Sequence, residues 1–266
     1  MFPWRRVLIP TDFSTAARWA FDNAIEVAGS TGAELVILHI RMTRASRPDE
    51  LRFPADESIY GYAEQYELDM LRERARHLNA SVRTRLLVRQ APDPGAEIQS
   101  SARDEGVDLI VIATHARHHV AHLLIGSTTL SVLNEPPAPV LAVRYGTQRR
   151  RHMRKLVVPV HPKQTSTAAA DLAMAIADQA GGEVHLIVVH ERPDRDLAEE
   201  TLHTAAARFG DVKHEVALLE GSDVEKEIVR YAHRADADTI LVHSSIGDVK
   251  RAIIRNAETP VMLVPA

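Results

Sequence analysis

The chain has 266 residues, a length that suggests two domains or one large one. Its 45% hydrophobic and 26% charged residues are typical of globular proteins and exclude the disordered and fibrous classes. The absence of cysteine excludes a disulfide framework, a thiolate metal site and a thiol nucleophile, and it favours a reducing, cytoplasmic location. Since the net charge is −4 and no apolar run approaches the ~18 residues of a spanning helix, we expect neither a nucleic acid nor a membrane as partner.

The first half of the chain alternates short apolar runs with longer segments of helical period. The uniformly apolar runs indicate strands buried on both faces, near residues 6–10, 34–40, 83–88, 108–113 and 139–144. Ser14 is predicted to cap a helix that runs to Ala28 and ends at Gly29 or Gly32. A second helix is predicted over residues 60–79, with four large side chains in the core or at its rim: Tyr62, Tyr66, Met70 and Leu71.

The second half repeats the pattern of the first. Val7-Leu-Ile-Pro10 returns as Leu156-Val-Val-Pro159, and Pro139-Val-Leu-Ala-Val143 returns as Pro260-Val-Met-Leu-Val264. Strands that alternate with helices predict the α/β class and parallel pairing. We therefore expect two domains, residues 1–147 and 153–266, each an open, doubly wound, mostly parallel five-stranded sheet, with a shorter second helix in the second copy.

A sheet of this kind binds ligands at the carboxyl ends of its strands, where the strand order reverses. In the first half, three segments follow or end such strands. They are Pro10-Thr-Asp12, His39-Ile40 and the stretch 113–129. We expect a ligand site to be built from these segments.

The same segments resemble the universal stress protein family. The resemblance rests on three motifs: Val7-Leu-Ile-Pro-Thr-Asp-Phe-Ser14, Leu38-His-Ile40, and Ile112-Ala-Thr-His-Ala-Arg117 followed at the family's spacing by Leu123-Leu-Ile-Gly-Ser127. It covers nearly the whole chain and implies two Rossmann-like nucleotide-binding domains in tandem. It also implies that the two final strands pair with each other, so that one chain forms an intramolecular pseudo-dimer, and further homodimerisation stays open.

The resemblance implies ATP as ligand, with or without magnesium, in a stress-response module. Asp12 would face the adenine, Ile40 would contact it through backbone and side chain, and Pro10 and Thr11 would line the ribose side. The phosphates would meet backbone N–H groups and hydroxyls at the start of a helix, where the helix dipole favours negative charge. The remaining positions carried over from the family are Ala113, His115, Ala116, Gly126, Ser127, Thr128 and Thr129.

The sequence departs from the family's ATP-binding pattern in both halves. In the first half, Ala113 and Ala116 stand where ATP-binding members have glycine, and a Cβ at a position with positive φ costs roughly 1 kcal/mol. In the second half the loop is nine residues shorter, His161 replaces Asp12, and Asp248 stands at the Ser127 position. A carboxylate there is expected to cap the helix and repel phosphate, so we predict that only the first half binds ATP.

The loop of the first half is rich in histidine. If it were helical, pairs of these residues would be spaced i, i+4, which suits zinc or nickel, but the loop contains no carboxylate. Solvated histidines are therefore favoured over a metal site. A third hypothesis is that the imidazoles contact phosphate and bind it better when they are protonated. The residues concerned are His115, His118, His119 and His122.

Two other functions stay open at this stage. Ser127 and Gly126 can be a helix cap and a turn that need no ligand, which would fit a nucleotide-free dimeric scaffold or regulatory interaction protein. A weak ATPase is the second alternative, at most with slow hydrolysis. We assign no catalytic residue, because no paired acid and base can be identified and no Gly-x-x-x-x-Gly-Lys-Ser/Thr loop occurs.

Overall fold

A computed structural model describes residues 4–43, 57–114, 125–146, 153–162, 166–245 and 248–265. The described first half contains five strands and four helices in alternation. They are β1 (Arg6–Thr11), α1 (Thr15–Thr31), β2 (Glu34–Met42), α2 (Glu57–Leu78), β3 (Thr84–Ala91), α3 (Pro94–Asp104), β4 (Leu109–Ala113), α4 (Ser127–Asn134) and β5 (Val140–Val143).

The second half follows the same order with a shorter second helix, as expected. A short 3-10 helix over Arg192–Asp194 precedes that helix. The elements are β6 (Lys155–Pro159), α5 (Ala168–Ala180), β7 (Glu183–His190), α6 (Arg195–Ala206), β8 (His214–Glu220), α7 (Val224–Arg234), β9 (Thr239–His243), α8 (Asp248–Asn256) and β10 (Val261–Val264).

All strands join one sheet in the order β3-β2-β1-β4-β5-β10-β9-β6-β7-β8. Every pair within a half is parallel, which confirms the α/β class and the doubly wound five-stranded arrangement. The halves meet where β5 and β10 run antiparallel, with Leu141 opposite Met262. Both strands are fully buried, so neither apolar edge is open to solvent.

The first helix begins and ends where the sequence predicts. Ser14 has extended backbone angles, and its hydroxyl accepts a hydrogen bond from the Ala17 N–H at 3.2 Å. At the other end Gly32 adopts φ 70°, a left-handed conformation that favours glycine, and its N–H donates to the Ala28 carbonyl. Gly32, not Gly29, is therefore the terminator.

One carboxylate in each half ties the amino ends of the central strands. Asp108 accepts hydrogen bonds from the backbone N–H groups of Arg5 and Arg6, at 2.7 and 2.9 Å. Asp238 accepts the corresponding pair from Arg154 and Lys155, both at 2.8 Å. The repeat seen in the sequence thus extends to individual hydrogen bonds.

Two expectations about burial are wrong. The third strand of each half is half-exposed, because β3 and β8 form the two edges of the sheet. Of the four large α2 side chains named above, only Leu71 lies in the core, whereas Tyr62, Tyr66 and Met70 are 78%, 65% and 50% exposed. The latter three recur every fourth residue, so they form a stripe along the outer side of the helix.

A buried ion pair attaches α2 to α1. Both carboxylate oxygens of Asp22, which is almost completely buried, accept hydrogen bonds from Arg74 at 2.5 Å. The pairing raises the pKa of the Arg74 guanidinium. This contact fixes α2 over one face of the sheet. None of the described helices is both long and apolar enough to cross a membrane.

Candidate functional site

A cavity of about 710 Å³ opens at the carboxyl ends of β1, β2 and β4. Its walls come from these strand ends, from the starts of α3 and α4 and from the inner side of α2, and we call it the edge cavity. It has the volume expected of a small-molecule site. Every sequence-predicted site residue within the described ranges borders it: Pro10, Thr11, Asp12, Ile40, Ala113, Gly126, Ser127, Thr128 and Thr129. His115, Ala116, His118, His119 and His122 lie outside the described residues.

The segment after β1 is held in a tight turn. The Thr11 hydroxyl accepts a hydrogen bond from the Phe13 N–H at 3.1 Å, and the Asp12 carboxylate accepts one from the Ser14 N–H at 3.0 Å. Phe13 adopts φ 60°, a left-handed conformation that is unusual for a bulky residue. These hydrogen bonds help to hold that backbone and place Asp12 at the rim of the cavity.

The start of α4 leaves backbone N–H groups without acceptors. Its N-cap is Gly126, which has no side chain to cap the helix, and the first intrahelical bond runs from the Leu130 N–H to the Gly126 carbonyl at 2.8 Å. The amides of Ser127, Thr128 and Thr129 therefore have no acceptor within the described part of the chain. Three N–H groups at a helix start can bind an anion.

Three details of this helix differ from the sequence-based expectation. Ser127 is the first helical residue, not the N-cap. The Gly126 N–H is already used, because it donates to the Thr114 carbonyl at 3.2 Å. The buried Thr129 hydroxyl donates to the Ala113 carbonyl at 2.9 Å, so Thr129 retains only its backbone amide for a ligand.

The inner side of α2 adds an acidic wall that the sequence did not reveal. Ala63, Glu64 and Glu67 line the edge cavity from this helix. Glu64 pairs with Arg41 and Glu67 pairs with Arg18, each at 2.6 Å. Nothing in the sequence placed these residues beside Asp12, because only the packing of α2 onto α1 brings them there. Other lining residues missed by the sequence reasoning include Phe13, Met42, Pro94 and Ile98.

Comparison with known proteins places this architecture in a family. The model of the universal stress protein family matches residues 3–144, which is more than half of the chain. The chain belongs to the universal stress protein family. The putative universal stress protein SH1215 of Staphylococcus haemolyticus is 30% identical over 62% of this chain and 100% of its own length.

Solved structures of universal stress proteins include one that matches almost the whole chain. The universal stress protein from Archaeoglobus fulgidus DSM 4304 covers 99% of this chain and 97% of its own, with a TM-score of 0.75 and 19% identity, which shows the fold of both halves. A universal stress protein from Archaeoglobus fulgidus in complex with dAMP covers 41% of this chain and 96% of its own, with 27% identity and a TM-score of 0.39.

The second half fills the equivalent strand end with side chains. His243 takes the register position of Ala113, since it lies opposite Val264 as Ala113 lies opposite Val143. Lys250, at the sequence position of Thr129, donates from Nζ to the Ser244 carbonyl at 2.6 Å. Burial lowers the pKa of both His243 and Lys250.

Asp248 does not play the role expected of it. It is the first residue of α8, but its side chain is 99% exposed and lies 3.6 Å from Arg251. The carboxylate therefore points to solvent and pairs with a cation instead of covering the helix start. The larger His243 and Lys250 side chains, not Asp248, distinguish this strand end from that of the first half.

One cluster in the second half has metal-ligand residue types. Glu183, His185 and Glu215 bring their ligand atoms within 4.8 Å of one another. The two carboxylates face opposite ring nitrogens of His185, at 3.5 Å from Nε2 and 3.7 Å from Nδ1, whereas one metal ion binds one ring nitrogen. Glu183 is also bound by Lys213 and by Lys155, and these hydrogen bonds lower its pKa to about 2. The arrangement is that of an ion-pair cluster.

Proposed function

We propose that this universal stress protein binds an adenine nucleotide, ATP, in the edge cavity of its first half and acts as a nucleotide-binding stress-response module. The observation that carries the proposal is the pairing of two features around one cavity. The amides of Ser127, Thr128 and Thr129, which have no acceptor among the described residues, lie at one place on its wall, and Asp12 and Ile40 lie at another. The amides suit the phosphates of a nucleotide, and Asp12 and Ile40 suit its base.

The chemistry of each feature suits a nucleotide. The α4 amides and the helix dipole favour phosphate oxygens at the helix start. A carboxylate such as Asp12 accepts hydrogen bonds and so suits the amino group of adenine. Apolar residues of the lining, such as Ile40, Ile98 and Ile112, provide surface for the base and ribose.

The acidic wall supports a role for magnesium carried by the ligand. Asp12, Glu64 and Glu67 line the cavity, while no lysine or arginine does so among the described residues. Arg41 and Arg18 offset part of the charge of Glu64 and Glu67, and the remaining negative charge repels a free triphosphate. Bound Mg²⁺ reduces the charge of the ligand itself. We therefore expect ATP to bind more tightly with Mg²⁺ than in the presence of a chelator.

We place nucleotide binding in the domain of residues 1–147 and give the domain of residues 153–266 a structural role. His243 and Lys250 fill the strand end that Ala113 and Thr129 leave open, and the adjoining loop is nine residues shorter. The β5–β10 pairing supports an intramolecular pseudo-dimer of the two domains. The whole protein is then either a monomer or a homodimer. Light scattering of the purified protein distinguishes these states.

Isothermal titration of the full chain with ATP, with and without Mg²⁺, tests the proposal. We expect one site per chain. Asp12→Asn keeps an oxygen for the Ser14 N–H but replaces the other oxygen with an amino group, so ATP binding should weaken about tenfold. His161→Ala changes the corresponding position of the second half and should leave binding unchanged.

Two sites per chain, or equal binding by wild type and Asp12→Asn, would contradict the proposal. Complete absence of binding would favour the scaffold function, in which the joined sheet is the functional feature. Phosphate release measured in the same samples tests the weak ATPase alternative, for which the described residues offer no assigned acid and base.

A further inference from the structure

A stacked aromatic pair borders the edge cavity beside Asp12. The Phe13 and His39 rings lie 4.4 Å apart between centroids, with 30° between their planes. Both residues line the cavity, and His39 lies opposite Thr11 in the register of β1 and β2. The left-handed backbone of Phe13, held by the turn at Thr11 and Ser14, brings its ring to this position.

The hydrogen bonding of His39 fixes its neutral tautomer. Nδ1 lies 2.9 Å from the Thr11 carbonyl oxygen, which only accepts hydrogen bonds. Nδ1 therefore carries the hydrogen, and Nε2 of the neutral ring presents a lone pair. No group among the described residues hydrogen-bonds to Nε2. Because His39 lines the cavity, this acceptor is available to a ligand there.

The charged side chains of the cavity lining are also acceptors. Asp12 lies next to Thr11, and Glu64 and Glu67 face the cavity from α2. A ligand group placed here gains hydrogen bonds if it is a donor and is repelled if it is an acceptor. Adenine has an amino group at position 6, whereas 6-oxopurines have an oxygen there.

We propose that His39 is a specificity-determining residue of the edge cavity, whose Nε2 accepts a hydrogen bond from the exocyclic amino group of the ligand's base. This inference rests on the proposed function, because it assumes that an adenine nucleotide or nucleoside occupies the cavity. His39 and Asp12 together give the amino group two acceptors, one for each hydrogen. The site then selects 6-aminopurines over purines that lack the amino group.

Adenosine and purine riboside, which differ only in that amino group, test this selectivity by calorimetric titration of the full chain. Wild type should bind adenosine about tenfold or more tightly than purine riboside. His39→Phe keeps a ring on Phe13 but removes the acceptor, so this ratio should fall about fivefold. His39→Gln offers an amide N–H to the Thr11 carbonyl and an oxygen to the ligand, and it should keep most of the preference.

His190→Phe is the matched control, since His190 ends a strand of the second half and its Nδ1 also lies 2.9 Å from a backbone carbonyl, that of Glu191. It should leave the ratio unchanged. A wild type without preference, a His39→Phe ratio equal to that of wild type, or a His39→Gln ratio as low as that of His39→Phe would overturn the inference. If no form binds either nucleoside or ATP, the proposed function itself fails, which is a different result from binding without preference.

Discussion

The two halves of this protein share one backbone plan, but they differ at the carboxyl end of the fourth strand of each half. In both halves a loop connects the fourth strand to the next helix. The side chain of the third residue of that helix donates a hydrogen bond to a backbone carbonyl at the end of the strand. In the first half that residue is Thr129, whose hydroxyl bonds to the Ala113 carbonyl. In the second it is Lys250, whose ammonium bonds to the Ser244 carbonyl.

This comparison indicates that side-chain volume and the length of the adjoining loop, not the arrangement of strands, separate a cavity from a filled strand end. Ala113 contributes only a methyl group at the position where His243 contributes a buried imidazole. Lys250 places an aliphatic stem and a cation where Thr129 keeps a short hydroxyl. Duplication of a fold unit therefore leaves the second copy free to replace a cavity with internal contacts.

Exchanging these residues gives the largest expected effect. Ala113→His combined with Thr129→Lys gives the first half the side chains of the second and should lower ATP affinity about a hundredfold or more, equivalent to ~2.7 kcal/mol. Titration calorimetry measures the loss. The reciprocal variant, His243→Ala with Lys250→Thr, should keep one site per chain, because its loop remains nine residues shorter.

Because Thr129 is buried, the double variant could lose ATP binding by unfolding. A thermal unfolding midpoint close to that of wild type serves as the control for folding. Undiminished ATP binding by a folded Ala113→His/Thr129→Lys protein would show that the edge cavity is not the nucleotide site. A second site in the reciprocal variant would show that the two side chains alone close the second half.

Residues whose structure depends on neighbours along the chain were predictable from the sequence. The Ser14 cap, a glycine terminator at one of two positions and the strand positions follow from local patterns, and self-similarity indicated the repeat. The position of the edge cavity was also predictable, because parallel strands bring their carboxyl ends to one edge of the sheet. Asp12 and the α4 amides therefore meet as expected around one cavity.

Features that depend on packing between distant segments were not predictable. The acidic wall of Glu64 and Glu67 requires α2 to lie on α1, which the Asp22–Arg74 pair fixes from 52 residues apart. The outward direction of Asp248 depends on the rotation of α8 and on Arg251. Half-exposure of β3 depends on strand order, because apolar composition does not distinguish an edge strand from a central one.

The attachment of the first helix differs between the halves and gives the next effect. Asp22 and Asp171 occupy equivalent positions, but Asp22 is almost fully buried against Arg74, whereas Asp171 is 41% exposed against Arg208. Arg74→Ala leaves a buried carboxylate without its cation and should cost about 2 kcal/mol in the free energy of unfolding. Arg208→Ala should cost less than about 1 kcal/mol.

Urea unfolding of both variants at pH 7 measures this difference. We expect Arg74→Ala to lower the free energy of unfolding by less than the loss of a fully buried ion pair does, because Arg74 is itself 45% exposed. Equal costs for the two variants would mean that burial of Asp22 adds nothing, and that α2 is held over the cavity by its apolar contacts alone.

The smallest effect concerns an acidic residue at the amino end of the second strand in each half. Glu34 pairs with Arg6 and Arg85, but Arg85 also pairs with the Glu105 carboxylate and Arg6 also donates to the Glu105 backbone carbonyl. Glu183 forms ion pairs with both Lys155 and Lys213. Glu183→Gln should therefore reduce stability on the order of 1 kcal/mol at pH 7, after solvent screening, and more than Glu34→Gln does.

The pH dependence of the Glu183→Gln effect follows from the direction of the pKa shift. Hydrogen bonds from Lys213 and Lys155 lower the pKa of Glu183 from 4.5 to about 2 in the folded protein. A carboxylate with a depressed pKa stabilises the fold above the unfolded-state value, and the stabilisation is lost as pH falls through the folded-state value. The difference between wild type and Glu183→Gln should thus change little from pH 7 to pH 5 and shrink from pH 5 to pH 3.5, as measured by urea unfolding. A constant difference over this range would assign the cost to packing of the side chain and not to its charge.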